Sequence, residues 1–330
     1  MEPIVQKLLV VGGNGFIGSA VCKAALSKGY QVTSISSSGR PFSTPKGHTP
    51  AWASKVEWLK GDALHPETYA HVLPSASAVV HTLGTLLPDT GYKDALRSGG
   101  FLGALGSVAR GLAGGGDRNP LDENAKASGY EMLNRDSALQ IAQAFLENAP
   151  GPSETGQPRA FVYISAEDIF RPFIPPAYIE TKRKAEAGIE RILGDSPNHR
   201  GVYMRPSLVY HPHFRPYTSP VAALLDLSSS IHARAPRGVP TPSSILRTLS
   251  AVFPTGTARE SPVQSSPLES VANALTLPPI HVDHVAEAIC LAADGQRTDV
   301  RGVYGVRDMR ELIGWAMKGQ DGQAHAGLGI

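Results

Sequence analysis

Cysteine is nearly absent, since the 330 residues hold only Cys22 and Cys290, far apart and each inside a run of helical character. Neither a disulfide framework nor a thiolate metal cluster can be built from such a pair, and no metal site is expected. A surplus of charge is lacking as well. The 31 Lys and Arg nearly balance 29 Asp and Glu, and the formal net charge of +2 supplies no broad basic field for nucleic acid. No apolar run approaches the roughly 18 residues of a spanning helix, so any membrane contact would be peripheral. Only six residues precede the first expected strand, and no cleavable presequence is visible there. With 42% apolar residues the chain can bury one sizeable core, and an intracellular domain is the expectation.

What is present alternates. Lys7-Leu8-Leu9-Val10-Val11 is an apolar run without polar alternation, which suits a strand covered on both faces. Phe16, Ile17, Ala20, Val21, Ala24, Ala25 and Leu26 then recur at helical spacing until Gly29. Residues 31–36, 55–59 and 76–82 read as further strands. This β-α-β-α-β rhythm predicts an α/β protein, a doubly wound parallel sheet of Rossmann type with a small, partly irregular C-terminal cap. Residues 85–129 break the rhythm with Gly99-Gly100 and Gly114-Gly115-Gly116 and read as an insertion of loop and short helix. Helices are expected over 130–148 and 179–193, and strands over 161–165 and 202–204. Residues 1–210 thus form the expected nucleotide-binding unit. Residues 211–280 form the Pro/Ser-rich cap, 281–318 return to the core, and 319–330 make a polar tail.

Gly12-Gly13-Asn14-Gly15-Phe16-Ile17-Gly18 lies between an expected strand and an expected helix, and satisfies both G-x-x-G-x-x-G and, from Gly13, G-x-G-x-x-G. Glycine permits positive φ, lets backbone N–H groups approach a pyrophosphate and brings the helix close to the sheet, so a dinucleotide is expected on this turn. Asn14 and Ser19 are placed to assist. An Asp or Glu about 20 residues after the glycines would grip a ribose 2′-OH. None stands there, because the chain from Ser19 through Val56 contains no acid. Ser36-Ser37-Ser38-Gly39-Arg40 instead offers hydroxyls and a guanidinium to a 2′-phosphate, which makes NADP(H) the preferred cofactor and NAD(H) the alternative. Asp62, after the third strand, reads either as a contact to the adenine edge or as an ordinary turn aspartate.

Tyr178 and Lys182 stand four apart and so share one face of a helix. A cationic Lys182 would favour the phenolate of Tyr178 and draw its pKa down from about 10 toward the range of a general acid/base. Ser165, at the end of the preceding strand, could hold a substrate carbonyl beside Tyr178.

In these motifs and their order the chain resembles the extended short-chain dehydrogenase/reductase superfamily, the epimerase/dehydratase-like group, over nearly its whole length. The glycine turn corresponds to its cofactor motif, Asp62-Ala63 to its adenine-side pair, and Val79-Val80-His81-Thr82-Leu83-Gly84 to its fourth-strand segment. Asn134 matches the family asparagine near the cofactor, Ser165, Tyr178 and Lys182 the catalytic set, and Arg205-Pro206-Ser207 the sixth-strand turn. The resemblance therefore implies cofactor contacts at Thr82, Leu83, Gly84, Asn134 and Pro206. His281-Val282-Asp283-His284-Val285-Ala286 matches a late strand-to-helix signature, in which His281 is expected as a satisfied polar residue and Asp283 as a helix cap.

A narrower resemblance is to the atypical branch that includes fungal mitochondrial dehydrogenase-like proteins of the coenzyme Q biosynthetic complex and the NADPH-binding accessory subunit of respiratory complex I. It rests on Gly29-Tyr30-Gln31-Val32, on His81-Thr82-Leu83-Gly84-Thr85-Leu86-Leu87, on Asn119-Pro120-Leu121 before Tyr130-Glu131-Met132-Leu133-Asn134, and on Tyr178 through Glu186. It implies an NADP(H)-dependent oxidoreductase within a multi-protein ubiquinone-biosynthetic assembly, peripheral on the matrix side of the mitochondrial inner membrane, with membrane or quinone-lipid contact and no nucleic acid. A nucleotide-stabilised assembly subunit is the alternative. A nucleotide-sugar epimerase comes third, as residues 212–279 carry no recognisable sugar-nucleotide pocket. Val221, Leu224 and Leu225, and then Ile245, Leu246, Leu249, Val252 and Phe253, form apolar stripes suited to a membrane surface, a partner or the inner face of the cap.

Overall fold

The structure is a computed structural model, which describes residues 6–84, 129, 131–149, 157–171, 174–216, 218–236, 239–252 and 266–315. The expected insertion at 85–129, apart from Gly129, and the tail at 319–330 lie outside the described residues, as does Phe253.

Strand alternation builds the centre. Along β1 (Lys7–Val11), Leu8 and Val10 enter one apolar core while Leu9 and Val11 enter another. The same period of two divides β4 (Ala78–His81) and β5 (Arg159–Ile164), so the sheet is covered on both faces. With β2 (Gln31–Ser36), β3 (Glu57–Lys60), β6 (His199–Met204) and β9 (Gly302–Tyr304) it forms a seven-stranded parallel sheet in the order β3-β2-β1-β4-β5-β6-β9. This is the expected doubly wound α/β fold. Helix α1 (Phe16–Ser27) ends before Gly29, whose φ of +84° only glycine adopts readily. The second helix of the other layer, expected over 130–148, opens as a π-helical turn at Glu131–Asp136 before α2 (Ser137–Glu147). α3 (Pro176–Leu193) starts three residues earlier than its apolar pattern, because Pro176 is pre-set for a first helical turn.

The cap holds α4 (Thr218–Arg234), α5 (Pro242–Val252) and α6 (Pro267–Thr276), with α6 packed on the other two. Beside it β7 (Val209–Tyr210) pairs in parallel with β8 (Ile280–His281), and α7 (Val282–Ala293) returns to the core against α1. The cap at the start of α7 corrects one expectation. His281, not Asp283, is the N-cap, its Nδ1 accepting the Asp283 amide at 3.2 Å, because Asp283 already lies inside the first helical turn. α8 (Val306–Leu312) closes the described chain.

Strand order reverses on either side of β1, whose neighbours β2 and β4 lead in opposite directions across the sheet. Such a switch point leaves a crevice beyond the carboxyl ends of the strands, where ligands of open α/β sheets bind. The glycine turn opens into it.

Candidate active site

The turn after β1 is shaped by space that side chains would fill. Gly12 has φ +85°, and a Cβ there would stand 2.7 Å from Leu83 Cδ2. A Cβ on Gly18 would collide with the Gly12 carbonyl, so α1 can approach the strand end only without it. The Gly15 amide donates to the Gly12 oxygen at 2.9 Å, and Gly15 is the N-cap of α1. No side chain caps that end and its first turn holds no acid. An open helix N-terminus behind a glycine-lined cradle has the shape and the partial positive charge that suit a pyrophosphate.

The second-strand loop lies beside it. Asn14 Nδ2 donates to Ser38 Oγ at 3.2 Å, joining the glycine turn to the end of β2. Ser36 Oγ accepts the Gly39 amide and so serves the local turn, whereas Ser37 and Arg40 are exposed at the crevice edge. Asp62 Oδ1 accepts the Leu64 amide at 3.0 Å, the turn role weighed for it, and the Ala63 carbonyl accepts from Tyr69 OH. Thr82 Oγ1 donates to the carbonyls of Val11 and Gly12 and holds the glycine turn against β4. Leu83 covers Gly12, and Gly84 leaves room for Lys182, whose Nζ would be 2.7 Å from a Cβ at that position.

α3 brings the expected reactive groups to this end of the sheet. Lys182, 2% exposed, donates from Nζ to the carbonyls of Ile164 at 2.8 Å and Leu83 at 3.4 Å. Its ammonium stands 4.8 Å from the ring of Tyr163 and 6.0 Å from that of Tyr178. Burial pulls its pKa from 10.5 down to about 7, against the opposing charge of Glu186. The lysine assumed cationic from its type is therefore near balance at neutral pH. Ser165, also buried, accepts a hydrogen bond from Arg183 Nη1 at 2.9 Å, which leaves its own proton to donate. Asn134 is buried in the π-helical turn, and its carbonyl accepts from Tyr163 OH at 2.5 Å. Pro206 is buried beside β5, its carbonyl accepting the Glu167 amide at 2.9 Å.

Several contributors were not singled out from the sequence. Glu186 binds Arg183 at 2.9 Å and accepts from both Nε and Nη2 of Arg205, so a buried carboxylate lies between two guanidiniums. Their spacing directly after Tyr178 and Lys182, with Arg183 and Glu186 three apart, was the available signal. His81, wholly buried, donates from Nε2 to Ser137 Oγ at 3.1 Å. The loop between β5 and α3 is tied to the cap, since Arg171 pairs with Asp168 at 2.8 Å and the Ser270 hydroxyl reaches the same carboxylate. Phe170, between them in sequence, has φ +63°, a strained value for a bulky residue.

Comparison with known proteins places the chain among relatives of known fold. Residues 8–95 match the model of the NAD dependent epimerase/dehydratase family. MIOREX complex component 2 of Saccharomyces cerevisiae is 35% identical over 214 residues, 64% of this chain and 75% of that protein. Among solved structures, a tyrosine-to-phenylalanine variant of ElxO with NADPH bound superposes at a TM-score of 0.54 with 13% identity, covering 92% of this chain and 97% of that one. A short-chain dehydrogenase/reductase family oxidoreductase from Burkholderia thailandensis gives 0.52 with 14% identity and 92% coverage of both chains. At such identities the solved structures establish the fold alone. Taken with the yeast relative, the matched amino-terminal half of the sheet and the motifs placed around its switch point, they mean that the chain belongs to the NAD dependent epimerase/dehydratase family, the extended branch of the short-chain dehydrogenase/reductases.

Proposed function

We propose that the protein is an NADP(H)-binding oxidoreductase that works in or with the mitochondrial coenzyme Q biosynthetic complex. One observation carries the chemical part: Lys182 Nζ, held by the Ile164 and Leu83 carbonyls, stands 6.0 Å from the Tyr178 ring at the strand ends beside the glycine turn. Gly12, Gly13, Asn14 and Gly15, with the amides of Phe16, Ile17 and Gly18, take the pyrophosphate. Ser36, Ser37, Ser38 and Arg40 take the 2′-phosphate, Asp62 and Ala63 the adenine side, and Thr82, Leu83, Gly84, Asn134 and Pro206 line the remainder. When bound, the nicotinamide would supply or accept the hydride. Tyr178 exchanges the proton with the substrate oxygen, Ser165 donates a hydrogen bond to that oxygen, and Lys182 orients the phenol and the cofactor ribose.

The placement in a ubiquinone-biosynthetic assembly, peripheral on the matrix side, rests on the narrower resemblance, and a relative named as a complex component supports partnership with other proteins. A second reading, a subunit that keeps the nucleotide for stability and works through its surface, is favoured by the exposed Leu224, Leu227 and Ile231 on α4 and Ile245, Leu249 and Val252 on α5. Titration with NADPH, followed by quinone measurement in a strain carrying Tyr178→Phe, separates the two. Normal quinone levels in that strain favour the assembly subunit. Normal levels in a deletion strain sink the pathway assignment.

A further inference from the structure

We propose that His211 is an acid-released latch, whose neutral imidazole fastens the cap to the nucleotide-binding unit and whose protonation lets that fastening go. The inference goes beyond the nucleotide-binding reading and stands on the chain's own contacts. β7 leads directly into His211, and β8, its parallel partner, ends at His281. The chain then turns tightly, because His211 Nδ1 accepts the amides of His213 and Phe214, each at 3.1 Å, and the His211 carbonyl accepts the Arg215 amide at 2.9 Å. Nδ1 must therefore be unprotonated, with the ring proton on Nε2.

The same ring joins two parts of the molecule. On one side Phe214 stacks on it with centroids 4.3 Å apart, and Phe214 in turn meets Phe42, in the loop between β2 and β3, edge-on at 5.9 Å. On the other side the His281 ring lies 5.1 Å away. His281 is itself the N-cap of α7, its Nδ1 accepting the Asp283 amide at 3.2 Å. One imidazole thus connects the loop after β2 with the start of α7.

A proton on Nδ1 undoes this arrangement. The new N–H would face two amide donors, so both hydrogen bonds that shape the turn are lost together, and a cation would lie beside the His281 ring. The groups that face His211 weigh mostly the same way. Burial first, then His281, lower its pKa below the ordinary 6.5, with His213 and, from α1, Lys23 acting in the same direction and Asp283 of α7 opposing them. The closed segment therefore refuses a proton that the opened segment takes up at the ordinary value, and its stability falls as pH drops below about 6.5. Phe214 then leaves Phe42, and the cap loses this hold on the nucleotide-binding unit.

Amide hydrogen exchange of the full chain at pH 8 and pH 5, corrected for the intrinsic effect of pH and read at His213 and Phe214, tests this. In the unmodified protein both amides should exchange several-fold faster at pH 5, up to about 30-fold, the limit for one proton whose uptake by the opened segment begins near 6.5. His211→Asn keeps an acceptor in the place of Nδ1 and has no proton to gain. Its two amides should respond to pH no more than the core amides of β5 do, and equal responses in the two proteins overturn the proposal. Long-range proton–nitrogen correlation on the imidazoles of the unmodified protein supplies a reading that no substitution disturbs: His211 should carry its proton on Nε2 at pH 8 and titrate below 6.5. A proton on Nδ1 at pH 8, or a midpoint at or above 6.5, overturns it as well.

Discussion

Acid should reach the fold through His81. Its imidazole is fully buried at the end of β4, and Ser137 Oγ, which donates to the Leu133 carbonyl at 2.9 Å, can only accept from Nε2–H. Nδ1 finds no partner among the described residues, so a second proton there would be buried without an acceptor and repelled by Lys182. Burial first, then that repulsion, lowers the His81 pKa from 6.5 to about 3. In the unfolded chain the ordinary value returns, so between those two values the unfolded state binds a proton that the folded state refuses. Stability must fall as pH drops below about 6.5 and continue to fall until about 3. At roughly 1.4 kcal/mol per pH unit, the loss at pH 5 is about 2 kcal/mol. Urea unfolding of the protein and of His81→Gln at pH 8 and pH 5 isolates it, since His199, whose pKa burial lowers to about 4, titrates in both. His81→Gln keeps a donor for Ser137 and has no proton to gain. Whatever packing it loses is the same at both pH values, so its deficit should narrow by about 2 kcal/mol at pH 5. A deficit equal at both pH values would refute the reasoning.

Arg40→Ala should weaken NADPH about tenfold while sparing NADH, as expected for one exposed charge-assisted contact, and equal affinities in the unmodified protein would remove its premise. Tyr178→Phe should leave nucleotide binding intact while turnover, measured by nicotinamide absorbance, falls by about 10²–10⁴. Lys182, depressed to about 7, makes the folded state refuse a proton that the unfolded chain holds up to about 10.5. Its contribution to stability should therefore rise from pH 7 toward pH 10, and Lys182→Met should flatten that rise in thermal melts. Arg171→Met removes the guanidinium paired with the nearly buried Asp168 within the β5–α3 loop, at an expected cost of about 3 kcal/mol in denaturant unfolding.

The parts of the fold that could be read ahead were those with a periodic apolar signal. Leu8 to Val11, Val79 to Val80 and Phe161 to Ile164 are continuous runs because both faces of the sheet are covered, and each proved a strand. β9 escaped because three residues that begin with glycine carry no period, and it is ordered by pairing with β6 and by packing with α8. The cap escaped for another reason. Its helices are short, rich in Ser and Pro, and bury little, with only Ser243 buried in α5, so composition outweighed their spacing. Val221 and Leu225 are half-buried while Leu224 is 68% exposed, so the first stripe does not face inward as a unit. At the site, motif residues could be named in advance, yet their states could not. That Ser165 accepts from Arg183, or that Lys182 loses most of its preference for the charged form, depends on burial and on partners distant in sequence.

Those partners bear on what the site can do. α3 carries Tyr178 and Lys182 on the side facing the strand ends, and one turn later turns Glu186 toward the end of β6 to meet Arg205. Glu186 is thereby the common neighbour of three cations: it holds Arg183 and Arg205 directly and raises the pKa of Lys182 against burial. Without that carboxylate, desolvation would drive Lys182 further toward the neutral amine, and Arg183 would lose the partner that aims it at Ser165. The hydrogen-bond donor offered by Ser165 and the charge available at Lys182 thus depend on one acid that touches neither the expected substrate nor the expected cofactor. A buried lysine 6.0 Å from the Tyr178 ring, its pKa lowered by burial toward about 7, is the kind of perturbed group that candidate sites carry.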